Sequence, residues 1–281
     1  TIYNNGKPLS DMSGFTSLQG WWKLDDSEIF NTTSADWSVD NNALPSIYKS
    51  SLDFNFNQSD YVDVGNISAL NNQNVICTSS WINFSGTPQT SDNRVFISGG
   101  ASATNRFWVQ LENPTEIRYA MGDALAYDFP ISEISSGNWH HIVTVHNNTS
   151  LDVYLNGVKQ GSTRTVIPPT SQIGNNFKVG SYFAGIYYWY GKLSNVCVFN
   201  TPLTGPQVTT LYNNGTPASD ISSLSPVSWW KLNNTTAGIQ DSAGSNNGTN
   251  NGATKYDGFV NSLAGGSVGM GASNLVTSDI N

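Results

Sequence analysis

Six aromatic residues crowd one nine-residue stretch of the chain: Tyr182, Phe183, Tyr187, Tyr188, Trp189 and Tyr190. Flat apolar ring faces with polar tips suit the CH-rich faces of pyranose rings, and Asn and Asp side chains supply partners for the sugar hydroxyls. A strand buries only one of its two faces, yet here both alternating faces carry rings. Part of the cluster is therefore expected at the surface, and Tyr182, Phe183, Tyr187, Tyr188 and Trp189 are the candidate carbohydrate-binding residues. The competing reading is that these rings fill the core. Of the three histidines, His140, His141 and His146 all fall on one stretch. They read as residues of one strand, with His141 packed beside Trp139, because a base or metal ligand needs partners that the sequence does not show.

Composition narrows the classes of function. The chain has 281 residues, of which only 11% are charged and 12% are aromatic. Abundant Asn, Ser, Thr and Gly suit turns, while aromatic and β-branched residues suit strands. The formal net charge of −8 argues against nucleic acid, whose binders neutralise phosphates with Lys and Arg. No apolar run reaches membrane-spanning length and no basic amphipathic stretch occurs, so membrane insertion is not expected. Two cysteines, Cys77 and Cys197, are too few for a disulfide scaffold. Both fall in expected strands, which leaves open a cross-strand bridge or a pair of buried free thiols.

The elements that must position these residues are short strands. Leu52–Phe56 and Tyr61–Val64 alternate apolar and polar positions, with Asn57–Asp60 as the turn between them. Further strands are expected at 76–84, 94–98, 106–111, 116–120, 177–179 and 193–199. The clearest hairpin places Trp139, His141, Val143 and Val145 on one face, turns at Asn147–Ser150 and returns through Leu151, Val153 and Leu155. Asn156-Gly157 makes a second tight turn. One helix stands out, opened by a capping box at Thr204-Gly205-Pro206-Gln207 and striped by Val208, Leu211 and Tyr212. Asn213-Asn214-Gly215 accepts the left-handed geometry that ends it. Many strands with one terminal helix predict an all-β jelly-roll sandwich.

A signature occurs twice. Tyr3-Asn4-Asn5-Gly6 through Asp11, followed by Trp21-Trp22-Lys23-Leu24, returns as Tyr212-Asn213-Asn214-Gly215 through Asp220, followed by Trp229-Trp230-Lys231-Leu232. The period is 209 residues at the tyrosine and 208 at the tryptophan, the length of a whole domain. The expected organisation is the tail of a preceding repeat and linker (1–18), a full domain (19–212), a polar linker (213–226) and an incomplete next repeat or docking segment (227–281). That last stretch has too few large apolar residues for a core of its own, so it is expected to lean on a neighbour or stay partly loose, pairing with an exposed edge of the central domain or of another subunit by strand addition.

Four blocks taken in order resemble laminin G-like domains of the concanavalin A-like lectin/glucanase superfamily, distant relatives of pentraxins. They are LDFNFNQSDYVDVGN (52–66), SSWINFSG (79–86), NWHHIVTVHNNTSLDVYLNGVKQG (138–161) and GKLSNVCVFNTPLTGPQVTTLYNNG (191–215). The Trp-Trp-Lys-Leu segments resemble the first strand of such units. The resemblance implies a concanavalin A-like β-sandwich, places His141 where the family also has His, and makes Tyr190 a core position. Glucanases of the superfamily use two glutamates on one strand face. Here Glu112 and Glu116 are the closest pair, and Pro114 lies between them. The resemblance also raises calcium, held by oxygen ligands at the sandwich rim. Asp92-Asn93 is similar to the first half of a pentraxin-type site, but Ser181–Ala184 and Ser194-Asn195 stand where further acids belong. No cofactor is expected, and only a weak Ca2+ site stays open.

The reading that results is a non-enzymatic carbohydrate-binding or adhesion module of a repeated surface or virion structural protein. The setting is extracellular or on a virion, similar to tandem proteins of marine phages and bacteria, with surface glycans and neighbouring repeats or subunits as partners. The alternatives are a purely structural spacer or decoration module without ligand and, as a minor one, a glycoside hydrolase.

Overall fold

A computed structural model describes residues 28–31, 36–39, 50–86, 94–123, 125–233 and 238–257. Residues 1–45 and 46–281 form two units. In the first, Glu28–Asn31 (β1) and Asp36–Val39 (β2) pair as an antiparallel hairpin.

The second unit is a β-sandwich. Its strands begin with Ser50–Phe54 (β3), Tyr61–Gly65 (β4), Val75–Phe84 (β5), Arg94–Ser102 (β6), Asn105–Asn113 (β7), Glu116–Met121 (β8) and Leu125–Pro130 (β9). His140–Asn147 (β10), Ser150–Leu155 (β11), Val158–Lys159 (β12), Arg164–Thr165 (β13), Phe177–Val179 (β14) and Gly191–Phe199 (β15) follow. After the helix Gly205–Tyr212 (α1) come Ser228–Trp230 (β16), Thr249–Asn251 (β17) and Thr254–Asp257 (β18). Among the described residues one sheet has nine strands, ordered β12-β11-β10-β5-β15-β3-β18 with β13 on β11 and β16 on β15. The other has seven, ordered β17-β4-β14-β6-β7-β8-β9. Every pairing is antiparallel.

Alternation decides what each face buries. Leu52, Phe54, Ile82, Phe84 and Leu193 of the nine-stranded sheet meet Phe107, Val109, Leu111, Ile117 and Phe177 of the other, all buried in one cluster. Burying each such side chain stabilises by roughly 1.5–3 kcal/mol. A second cluster lies where α1 covers the outside of the nine-stranded sheet, gathering Val143, Val145, Phe199, Val208, Leu211 and Trp229. Strand β10 is thus buried on both sides, with Ile142 in the main core and Val143 and Val145 under the helix. The expected capping box forms: the Thr204 amide donates to Gln207 Oε1 at 2.8 Å. Asn213, at φ +44°, ends the helix. The turn at Asn156-Gly157 also forms, with φ of +50° and +80°.

The segments after α1 lie against the domain. In the linker 213–226, Ile221 is buried in the cluster beneath α1, and Ala218 packs against that cluster. Residues 228–257 add strands to the edges of the central domain, one of the two hosts expected for a docking segment. Strand β16 pairs with β15, β17 with β4 and β18 with β3. Trp230 is fully buried, 5.6 Å from the Phe177 ring, and its Nε1 donates to the Asn246 carbonyl at 2.7 Å. The cause is shared need: three strand edges with unpaired backbone groups meet a segment that has no core of its own. The first copy of the signature (Tyr3–Asp11 and Trp21–Leu24), the candidate calcium pair Asp92-Asn93 and residues 258–281 lie outside the described residues.

The cysteines are free rather than bridged. Cys77 stands opposite Phe199 and Cys197 opposite Ser79, so the thiols are diagonal and not paired across the strands. Their hydrogens go to the Thr201 and Asn195 carbonyls. Burial pushes the Cys77 thiol up to about 12 and raises Cys197 as well. Since the thiolate is the reactive form, titration of the folded protein with Ellman's reagent at pH 8 is expected to show neither thiol, and addition of guanidinium to reveal both.

Candidate functional site

Strand β7 supplies the base of the site. Its core-facing residues Phe107, Val109 and Leu111 alternate with Arg106, Trp108, Gln110 and Glu112 on the outer face of the seven-stranded sheet. One register row crosses that face as Asp63, Lys178, Ser98, Trp108, Ala120 and Ala126. The small Ala120 and Ala126 leave the indole standing above its neighbours on that side. The next row holds Gln110, Arg118 and Asp128.

A continuous hydrogen-bonded chain links these groups. Trp108 Nε1 donates to Gln110 Oε1 at 2.9 Å, and Gln110 Nε2 donates to Glu112 Oε2 at 2.5 Å. Arg118 Nη1 lies 2.8 Å from the same Glu112 oxygen. The Arg118 guanidinium also grips Asp128 with two parallel bonds of 2.6 and 3.0 Å. Burial raises the Glu112 carboxyl above its ordinary range, while Arg118 and Gln110 pull it back. The Arg118 and Asp128 side chains keep 26% and 37% of their surface exposed, so their free sites face solvent.

The loop between β14 and β15 folds over the edge of this face. Gly180, at φ +85°, starts it; a Cβ there would lie 2.6 Å from the Phe54 ring. The loop closes on itself: the Tyr182 amide donates to the Ile186 carbonyl at 2.9 Å and the Gly185 amide to the Tyr182 carbonyl at 2.8 Å. Tyr182 meets Trp108 edge-on with ring centroids 5.3 Å apart. Its hydroxyl accepts from Arg106 Nη1 at 2.5 Å, and the Arg106 guanidinium lies 5.1 Å from the Trp108 ring. Phe183 and Tyr187 pack on Tyr182 with centroids 4.5 and 5.8 Å away.

The aromatic candidates thus divide by burial. Tyr187 and its neighbour Ile186 are 46% and 44% exposed. Tyr187 also holds φ +58°, a left-handed conformation that costs a bulky residue on the order of 1–3 kcal/mol. Phe183 and Tyr188 are half-buried, with Tyr188 6.2 Å from the Tyr61 ring and its hydroxyl donating to the Gly185 carbonyl. Tyr182 is 6% exposed and acts as a pillar. Trp189 is corrected from candidate binding residue to core: it is fully buried, edge-on to Phe96 at 5.7 Å. The main-chain bond from its amide to the Gly180 carbonyl, 2.7 Å long, turns the indole inward.

A family model for laminin G-like domains, described as "Concanavalin A-like lectin/glucanases superfamily", matches residues 56–209. The chain belongs to the concanavalin A-like lectin/glucanase superfamily. Two solved structures share the fold of this superfamily member. One is a Bacteroides ovatus protein whose assignment to carbohydrate binding is itself provisional, with 17% identity, TM-score 0.57, 75% of this chain covered and 60% of that one. The chain therefore spans about three fifths of that protein's length. The other is the heptameric SAP-like pentraxin of Limulus polyphemus, with 16% identity, TM-score 0.53, 77% of this chain covered and 99% of that one. At such identities the likeness is one of fold alone. No curated protein matches the chain.

Pro114 does not interrupt a ladder, since it sits in the β7–β8 turn and Asn113 pairs with Glu116 across it. Glu112 is bound by Arg118 and Gln110, while Glu116 accepts from Asn113 Nδ2 at 3.1 Å. His141 is buried against the Trp81 and Tyr212 rings, His146 bonds Tyr119 Oη at 2.9 Å, and His140 faces the Ser135 carbonyl at 3.3 Å. Burial lowers the pKa of all three. Among the described residues no three His, Cys, Asp or Glu side chains gather as metal ligands.

Sequence reasoning missed the Trp108–Gln110–Glu112–Arg118–Asp128 row. The signal was present: β7 reads Arg106, Trp108, Gln110, Glu112 at every second position, a polar face carrying one large ring.

Proposed function

We propose that the chain is a non-enzymatic carbohydrate-binding module whose ligand lies on the outer face of the seven-stranded sheet. The observation that carries this reading is Tyr187, an exposed ring in left-handed backbone geometry, mounted through Tyr182 on the Trp108–Arg106 platform. A sugar ring stacks on Tyr187, and the partly exposed Arg118–Asp128 pair meets its hydroxyls with both donors and acceptors. Glu112 serves as an anchor for Arg118 and not as an acid or nucleophile, because its oxygen is already committed to two donors. The wider setting is a surface-displayed or virion adhesion protein built of repeats, for which the support is the 208–209-residue recurrence of the signature.

A glycan array, followed by calorimetry on any hit, tests the reading. Tyr187→Ala is expected to weaken binding about tenfold, equivalent to about 1.4 kcal/mol, with an unchanged melting curve. Affinity unaltered by that substitution rejects the site. Silence of the unsubstituted protein across the array favours the ligand-free spacer. Loss of binding with a calcium chelator would instead move the site to the rim around Asp92-Asn93.

A further inference from the structure

The outer face of the seven-stranded sheet carries a second cluster built like the one around Tyr187. Tyr61 and Asp63 are alternate residues of β4, and Tyr61 is half-buried. Lys178 Nζ lies 4.5 Å from the centroid of the Tyr61 ring and 3.0 Å from Asp63 Oδ2. Lys178 is buried, whereas the Asp63 side chain keeps 41% of its surface exposed. The parts are those of Tyr187 beside Arg118–Asp128: a ring, and an ion pair whose carboxylate reaches solvent. The loop between β14 and β15 joins the two clusters, because Tyr188 packs on Tyr61 while Tyr187 packs on Tyr182. From Asp63 on β4 to Asp128 on β9 the face runs five strand steps. At about 4.8 Å per step that is about 24 Å.

We propose that the ligand of this face is a neutral polysaccharide, held along several of its sugar rings rather than by one terminal sugar. The inference rests on the carbohydrate reading and adds to it a second subsite at Tyr61 and Asp63. Width argues for a chain. Trp108, on which the Tyr182–Tyr187 stack is mounted, and Asp63 are three strand steps apart in one register row. That distance, about 14 Å, is more than one pyranose ring bridges. A chain that reaches both clusters binds its second ring as an intramolecular step, which raises affinity without a new kind of contact. Neutrality follows from where the charges are spent. Among the described residues the cations of this face are Arg106, Arg118 and Lys178. Arg106 donates to the Tyr182 hydroxyl and to the Gly122 and Asp123 carbonyls. Arg118 is held by Glu112 and Asp128, and Lys178 by Asp63. No positive excess is left for sulfate or uronate groups, and the exposed Asp63 and Asp128 carboxylates repel them while accepting from sugar hydroxyls.

Titration calorimetry on the full chain tests this with xylo-, cello- and laminari-oligosaccharides from the disaccharide to the hexasaccharide, and with alginate oligosaccharides as the anionic arm. A neutral series is expected to bind more tightly with each added sugar until both clusters are spanned, a total gain of about tenfold to a hundredfold. Alginate is expected not to bind. Tyr61→Ala is expected to flatten the rise and lower hexasaccharide affinity about tenfold, whereas Tyr187→Ala lowers affinity at every length. Should Tyr61→Ala lower the melting temperature, Asp63→Asn carries the test in its place; it keeps the acceptor for the Gly65 amide at 3.1 Å and is expected to flatten the rise as well. Affinity independent of chain length, or a rise that survives both substitutions, overturns the chain inference and leaves a single-sugar site at Tyr187. Preference for alginate overturns the neutral class. Lack of binding by every series withdraws the carbohydrate reading itself, and this inference falls with it.

Discussion

Trp189→Ala is expected to cost about 3–5 kcal/mol, the usual penalty for emptying a buried tryptophan site. At roughly 2–4 °C per kcal/mol for a domain of this size, that lowers the melting temperature by roughly 6–20 °C. The indole is fully buried and edge-on to Phe96 in the main cluster. Its Nε1 has no hydrogen-bond partner, so the buried N–H is a standing cost on the order of 1–3 kcal/mol. Trp189→Phe removes that cost together with part of the ring, and its net effect is expected to be far smaller than that of Ala. Thermal melts of both variants beside Tyr187→Ala give the check. Tyr187, being exposed, is expected to shift stability by no more than about 0.5 kcal/mol. A Trp189→Ala protein that melts like its parent would return the ring to the surface and to the list of sugar contacts.

That reversal shows what the sequence of an aromatic-rich loop conceals. Alternation works where a strand has two defined faces, and it located β4, β5, β7, β8, β10, β11 and β15 from their residues alone. The Tyr182–Tyr190 stretch is not a strand. It is a loop closed by the Tyr182–Ile186 bridge, and its ring directions follow from Gly180, Gly185 and the left-handed Tyr187 rather than from any period. Density of rings was therefore legible and their exposure was not. The Trp108 row failed for a different reason. Its members come from β7, β8 and β9, and only the cross-strand register brings Gln110, Arg118 and Asp128 together. The slot for Trp229 and Trp230 was half legible: the lack of a core after residue 226 implied a host, but which edge accepts it depends on β15, β4 and β3 lying open at once.

Acid is expected to weaken the fold, and His141 is the main reason. The ring shares a three-ring cluster with Trp81, at 4.9 Å and 28°, and Tyr212, at 6.1 Å and 20°, with Nε2 2.8 Å from Ser79 Oγ and Nδ1 unpartnered. Burial pushes its pKa down to about 3 from 6.5. The unfolded chain binds a proton below pH 6.5 that the folded chain refuses until about pH 3, so stability is complete above 6.5 and falls as pH drops through that window. The slope approaches about 1.4 kcal/mol per pH unit, or about 3 kcal/mol lost between pH 7 and pH 4.5. His146 and His140 are lowered by burial too and act in the same direction. Glu112 opposes them, because its raised carboxyl binds a proton more readily in the folded state. Urea midpoints measured across pH 4.5–7.5 for the parent and for His141→Phe separate the contributions. Phe keeps the stack without a titrating group, so its stability at pH 7 drops with the lost Ser79 bond while its pH dependence flattens. An equally steep profile in both proteins would assign the acid sensitivity to groups other than His141.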